Sequence, residues 1–160
     1  MLSTFLQKTG QTLSDLLFPQ KCVHCAAAER WLCQSCLSSI PLITSTVCDR
    51  CGTPQNGSGC YQCQAHSLHA INGIRSAAYF EDNPLRSAIH ALKYRNHRAI
   101  AGQLATLMAN AYQHYKLNAQ TITPVPLHRA RLKERGYSQS ELLARPLARL
   151  LQLPLNTTML

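Results

Sequence analysis

Cys22-Val23-His24-Cys25, Cys33-Gln34-Ser35-Cys36, Cys48-Asp49-Arg50-Cys51 and Cys60-Tyr61-Gln62-Cys63 are the stretches on which the reading of this sequence turns. Each is a Cys-x2-Cys pair, a spacing that curls the backbone into a knuckle and presents two sulfurs to one ion. Two knuckles close a tetrahedral four-thiolate site, which favours zinc or iron–sulfur over magnesium or calcium. All eight cysteines of the 160-residue chain fall between positions 22 and 63. Sequential pairing is the simplest assignment, with Cys22, Cys25, Cys33 and Cys36 on one ion and Cys48, Cys51, Cys60 and Cys63 on the other. The spacing admits an interleaved cross-brace as well. Four sulfurs leave no open coordination position, so both sites read as structural.

Rival uses of eight thiols fit less well. A disulfide framework needs an oxidising compartment, and Met1 to Lys8 lacks the basic-then-apolar pattern of an export signal. A thiol redox centre uses one Cys-x2-Cys. Iron–sulfur is the closest rival, because four thiolates alone do not choose the metal. Two structural zinc ions are the expectation, with His24, His66 and His69 as bystanders.

Outward from the cysteines, the chain divides into three parts. Residues 1–19 carry Leu2, Phe5, Leu6, Leu13, Leu16 and Leu17 at helical spacings and stop at Pro19, predicting a packed helix. Residues 20–65 have no helical or strand period and need the metal as a staple. Residues 70–160 alternate between strand and helix signals. Residues 71–80 predict a strand, Asn83 or Asp82 a cap, and Leu85, Ala88, Ile89 and Leu92 a helix. A second helix is predicted over 98–116, a short strand over 121–126, a basic loop over 127–137, and a helix from Ser138 that Pro146 kinks or restarts. This order is the opening of an α/β unit. The chain stops where another strand is expected, which reads as a C-terminal truncation or as a site for a completing partner. No run of 18 apolar residues occurs, so no membrane span is expected, and the default compartment is cytoplasmic.

Charge follows the same division. Residues 1–64 carry a formal +1 and residues 65–160 a formal +8. Eight thiolates around two divalent ions take the first part to −3. A phosphate-rich partner therefore prefers the second part. His90, Lys93, Tyr94, Arg95, His97 and Arg98 cluster near one helix end. Arg131 and Arg135 can hold phosphate oxygens bidentately, Gly136 permits close backbone approach, and Ser138 and Gln139 open the next helix. The plain alternative is a solvated basic surface. The candidate phosphate or nucleic-acid residues are Lys93, Arg131, Arg135, Gly136 and Gln139.

These residues together resemble the ComF/GntX competence-type proteins, which join a zinc ribbon to a type I phosphoribosyltransferase-like domain. The resemblance is carried by Leu17-Phe18-Pro19, the cysteine pairs with Gly52, Leu92-Lys93-Tyr94, Pro124-Val125-Pro126-Leu127 and Arg135-Gly136-Tyr137-Ser138-Gln139. It implies a small N-terminal double zinc ribbon followed by an incomplete phosphoribosyltransferase-like α/β domain. It also implies a cytoplasmic role in DNA uptake during natural transformation, with single-stranded DNA, nucleotide phosphates and proteins of the competence machinery as partners. Phosphoribosyl pyrophosphate and Mg²⁺ are expected only of a full-length form. Two departures stand out. Ser138 replaces the family's usual Asn, and no acidic pair followed by Thr-Thr-Gly occurs, since Thr157-Thr158 has neither the acids nor the glycine. The resemblance therefore predicts a chain that is not a competent transferase as it stands. A truncated phosphoribosyltransferase and a zinc-ribbon scaffold for protein partners are the alternatives.

Overall fold

The computed structural model describes residues 20–28, 30–55, 60–65 and 71–158. The helix predicted before Pro19 lies outside the described residues. The elements are α1 (Gln34–Ser38), α2 (Tyr61–Ala65), α3 (Pro84–Tyr94), a 3-10 turn (Arg98–Ile100), α4 (Ala101–His114), α5 (Arg129–Arg135) and α6 (Gln139–Leu151).

Helix α3 starts where the sequence places its cap. Asn83 Oδ1 accepts from the N–H groups of Leu85 and Arg86 at 3.0 and 3.2 Å, and Pro84 takes the first turn, where its missing N–H costs nothing. Its Ala88, Ala91 and Leu92 are buried. Helix α4 buries two faces. Ala101, Leu104 and Leu107 join the main core, while Ala105 and Ala109 pack with Leu147 of α6. The α4–α6 contact is the most extensive between helices, and small side chains (Ala105, Ala109, Ala144 and Ala148) are buried on both.

The main core crosses the composition break. Cys22, Leu32, Cys33, Cys36 and Ile40 share one buried cluster with Ala88, Leu92, Ile100 and Leu104. Gln103 Nε2 donates to the Leu32 carbonyl at 2.7 Å and Tyr115 donates its hydroxyl to the Ile43 carbonyl at 3.2 Å. The first cysteine module is thus one wall of the helical core.

Several expectations change, and the stretch 20–65, read as without helical period, holds the short helices α1 and α2. Among the described residues no strand ladder forms, and four isolated bridges stand in its place: Lys21–Ala28, Leu42–Ala78, Val47–Pro54 and the parallel Ile122–Leu155. Residues 71–80 are extended but serve as a strap over the cysteine modules. Ile74 N–H bonds the Arg50 carbonyl at 2.8 Å, Ile43 N–H bonds that of Ala77 at 3.1 Å, and Tyr79 N–H that of Pro41 at 3.0 Å. The predicted strand at 121–126 contributes only Ile122, whose N–H bonds the Pro154 carbonyl at 2.9 Å. The segment read as a basic loop holds a two-turn helix, α5, capped by His128 Nδ1 and closed by Gly136 at φ +73°. Its Arg, Ala, Leu, Lys and Glu favour helix, but it buries no residue and so leaves no apolar period to read. Pro146 neither ends nor restarts α6, which runs through it as one helix. The proline removes one backbone bond, and packing of the flanking turns on α4 sustains the rest. None of the described helices is long and apolar enough to cross a membrane.

Gly52 is the most closely approached of the described glycines. It sits at φ +71°, and a Cβ there would stand 2.4 Å from the Ile74 carbonyl oxygen. Gly52→Ala should therefore destabilise the second cysteine module by about 1–3 kcal/mol. Faster metal transfer to a chelator, with a lowered melting temperature, is the expected result. Unchanged transfer would show that the strap yields without cost.

Candidate metal centre and basic cleft

The eight sulfurs gather into two separate groups. Cys22, Cys25, Cys33 and Cys36 form one and Cys48, Cys51, Cys60 and Cys63 the other, with all sulfurs of a group within 4.8 Å of one another. The pairing is sequential, and no interleaved cross-brace forms. Cys25–Cys33 and Cys48–Cys63 approach to 3.5 Å and Cys51–Cys60 to 3.4 Å. These are far longer than a disulfide bond, and all eight cysteines are free. They approach the ~3.8 Å edge of a tetrahedron whose metal–sulfur bonds are ~2.3 Å. The groups fit one zinc-sized ion each, with no room for a multi-iron cluster.

Local structure explains the geometry. Ala26 turns left-handed at φ +61°, letting its N–H bond the Cys22 carbonyl, while the Cys33 N–H points at Cys22 Sγ from 3.5 Å. In the second module Gly52 plays the part of Ala26, bonding the Cys48 carbonyl at 2.9 Å. Arg75 clasps this knuckle. Its Nη1 donates to the carbonyls of Asp49 at 2.8 Å and Cys48 at 3.4 Å, and its guanidinium lies 5.3 Å over the Tyr115 ring. His24 bonds Ser87 at 3.0 Å and joins neither cluster.

The free thiols are electrostatically prepared for a cation. The Ser35 hydroxyl, 3.1 Å from Cys33 Sγ, brings that thiol down to about 6. Thr53 does the same for Cys51, also to about 6. Burial, then the neighbouring sulfurs, push Cys36 up, and Cys48 pushes Cys63 up to about 12. Each cluster ionises its first thiols readily and resists the last, a repulsion that one divalent ion removes. With four sulfurs and no open position, such an ion holds structure and performs no chemistry.

The candidate phosphate residues are only partly brought together. Lys93 and Arg135 line a cleft of about 320 Å³ with Tyr94, Asn96, Glu134 and Tyr137. Arg131 lies outside that lining, paired with Glu134 at 2.8 Å. Gly136 serves the left-handed turn that ends α5, and Gln139 Oε1 accepts from Arg135 Nη1 at 2.9 Å. Ser138 Oγ caps α6 by accepting from the Glu141 N–H at 3.4 Å. The sequence shows no sign of how these residues are locked. Arg135 lies 5.0 Å over the Tyr94 ring and Arg98 lies 4.4 Å over that of Tyr137, whose hydroxyl donates to the Leu92 carbonyl.

The two cysteine groups differ in their surroundings, and that difference is measurable. Native mass spectrometry of the reduced protein should find two zinc ions, and one in either Cys36→Ser or Cys63→Ser. Cys36→Ser should also lose much of the helical circular dichroism, because Cys36 lies in the shared core at 6% exposure. Cys63→Ser should retain it. Equal helix loss in both, or a metal count other than two in the parent, would contradict this arrangement.

The double zinc ribbon domain family matches residues 13–65. The chain is 30% identical over 154 residues to Competence protein F of Haemophilus influenzae, covering 86% of this chain and 63% of that protein. It is 25% identical over 124 residues to Competence protein ComFC of Bacillus subtilis, covering 74% and 52%. It is 31% identical over 145 residues to DNA utilization protein YhgH of Escherichia coli, covering 84% and 63%. The chain thus spans between 52% and 63% of the length of these curated relatives. No solved structure matches it. Two four-cysteine groups on a shared helical core, with similarity extending well beyond the cysteines, support a place for this chain in the ComF-type family.

Proposed function

We propose that this protein handles incoming DNA in the cytoplasm as part of the competence machinery, binding single-stranded DNA by its phosphates. The relatives named for competence and DNA utilization support the setting. The observation that carries the reading is a difference in ion pairing. Arg75, Arg86, Arg131 and Arg145 each hold a carboxylate. Lys93, Arg95, Arg98 and Arg135 form no ion pair among the described residues, and Lys93 and Arg135 face one cleft. Unpaired cations are what a phosphate backbone needs, since no internal partner must be displaced. The Nε of Arg135 is buried without a hydrogen-bond partner, a cost that an anion entering the cleft would relieve. Arg131, Gly136 and Gln139 support the site less directly, as a paired cation, a turn and a brace for Arg135.

Salt dependence tests this. Fluorescence anisotropy with a single-stranded oligonucleotide should show affinity falling steeply with salt. Lys93→Ala and Arg135→Ala should each weaken binding several-fold and reduce the log–log salt slope by about 0.7. Arg131→Ala should do less. Salt-independent affinity, or variants that bind like the parent, would remove the proposal.

A second reading is favoured by the parallel Ile122–Leu155 bridge, which encloses α5 and α6 as a strand–helix–strand crossover would. In that reading the second half is phosphoribosyltransferase-like, and the same cleft takes phosphoribosyl pyrophosphate with Mg²⁺. These 160 residues hold no acidic pair followed by Thr-Thr-Gly, so transfer itself is not ascribed to them. Displacement of the oligonucleotide by phosphoribosyl pyrophosphate, but not by matched ionic strength of sulfate, is the expected outcome. Equal displacement by both would leave only a general anion site.

A further inference from the structure

Three aromatic rings lie near the cations that form no ion pair among the described residues, and they are not equivalent. Tyr137 is buried at 8% exposure, with its hydroxyl on the Leu92 carbonyl and Arg98 over its ring. Trp31 packs against His97, with ring centroids 4.2 Å apart and planes tilted by 41°. Both are satisfied internally. Tyr94 is different. It ends α3 with 62% of its surface exposed, although Arg135 lies 5.0 Å over the ring and His90 meets it at 5.5 Å and 66°. The ring is held from two directions and bare on the rest.

We propose that Tyr94 is a base-stacking platform, taking an unpaired nucleobase on its open face while Lys93 and Arg135 hold the adjoining phosphates. The inference rests on the single-stranded DNA reading above and adds to it the residue that distinguishes single strands from duplex. A duplex keeps its base faces stacked internally and has none to offer the ring. Arg135 and His90 fix the ring beforehand, so little side-chain freedom is lost on binding. Every base has a π-face, so the site is tolerant of sequence. Lys93 precedes Tyr94 in the chain and lines the same cleft, which sets charge and stacking surface one residue apart.

The zinc-loaded chain tests this against two polymers of equal length, an oligothymidylate and an abasic deoxyribose-phosphate oligomer. The parent should prefer oligothymidylate by about fivefold or more. Tyr94→Ala and Tyr94→Leu should lose that preference while keeping the salt slope and zinc content, and Tyr94→Phe should retain it. Tyr94→Leu matters because it keeps apolar bulk without a π-face. If both variants keep the parental preference, the platform is overturned and the phosphate reading stands. If the parent shows no salt-dependent binding to either polymer, both fall.

Discussion

Four thiolates around one divalent ion at Cys22, Cys25, Cys33 and Cys36 are the constraint on which the rest of the structure depends. Zinc bound by four cysteines contributes roughly 10–16 kcal/mol in small modules, comparable to the whole stability of an ordinary domain, about 5–15 kcal/mol. Here that energy is not confined to a separate appendage. Cys22, Cys33 and Cys36 are 3–6% exposed and pack with Leu32, Leu92 and Ile100, the largest fully buried side chains. The metal orders the wall against which α3 and α4 close. The second group is coupled less deeply, through Arg75, Tyr115 and the strap at 71–80.

The basic face depends on that core in turn. Trp31, two residues before a metal ligand, packs at a tilt against His97, and His97 occupies the N-cap position of the 3-10 turn that begins with Arg98. Burial, then the charge of Arg95, holds the His97 imidazole below its ordinary range, which favours the neutral ring beside the indole. From Arg98 the contacts run to Tyr137, and from Tyr137 to Leu92 at the heart of the core. The Arg–Tyr stacks therefore do two things. They fix guanidinium groups without neutralising them, and they place aromatic surface beside charge. A carboxylate partner would have given the same rigidity and cancelled the positive potential, as Glu134 does for Arg131.

Legibility in the sequence followed the strength of the local signal. Asn83-Pro84, Ser138 and the spacing of Leu85, Ala88, Ile89 and Leu92 were readable because a cap and a buried stripe leave marks at fixed intervals. Helix α5 was not, because it buries nothing. The β character of 71–80 was real, but it reflected an extended strap bonding to knuckle carbonyls. No periodicity states which partner an extended segment will choose. The second face of α4, through Ala105 and Ala109, escaped because alanine is weak evidence of burial until a partner helix is in view.

The sequence by itself determined the thiolate ligands, the excess of charge in the second half and the starts of the three longest described helices, since each depends on residues close together in the chain. Tertiary structure decided what depends on residues far apart. It chose sequential over interleaved pairing of the cysteines, and it merged the first cysteine module with the helices. It neutralised Arg131 while leaving Lys93 and Arg135 without an ion pair among the described residues, and it set Arg135 against Tyr94, 41 positions earlier in the chain. Spacing can say which atoms a chain carries to a neighbourhood. Only packing says which of them still lack a partner, and an unpartnered charge is what remains available to a ligand.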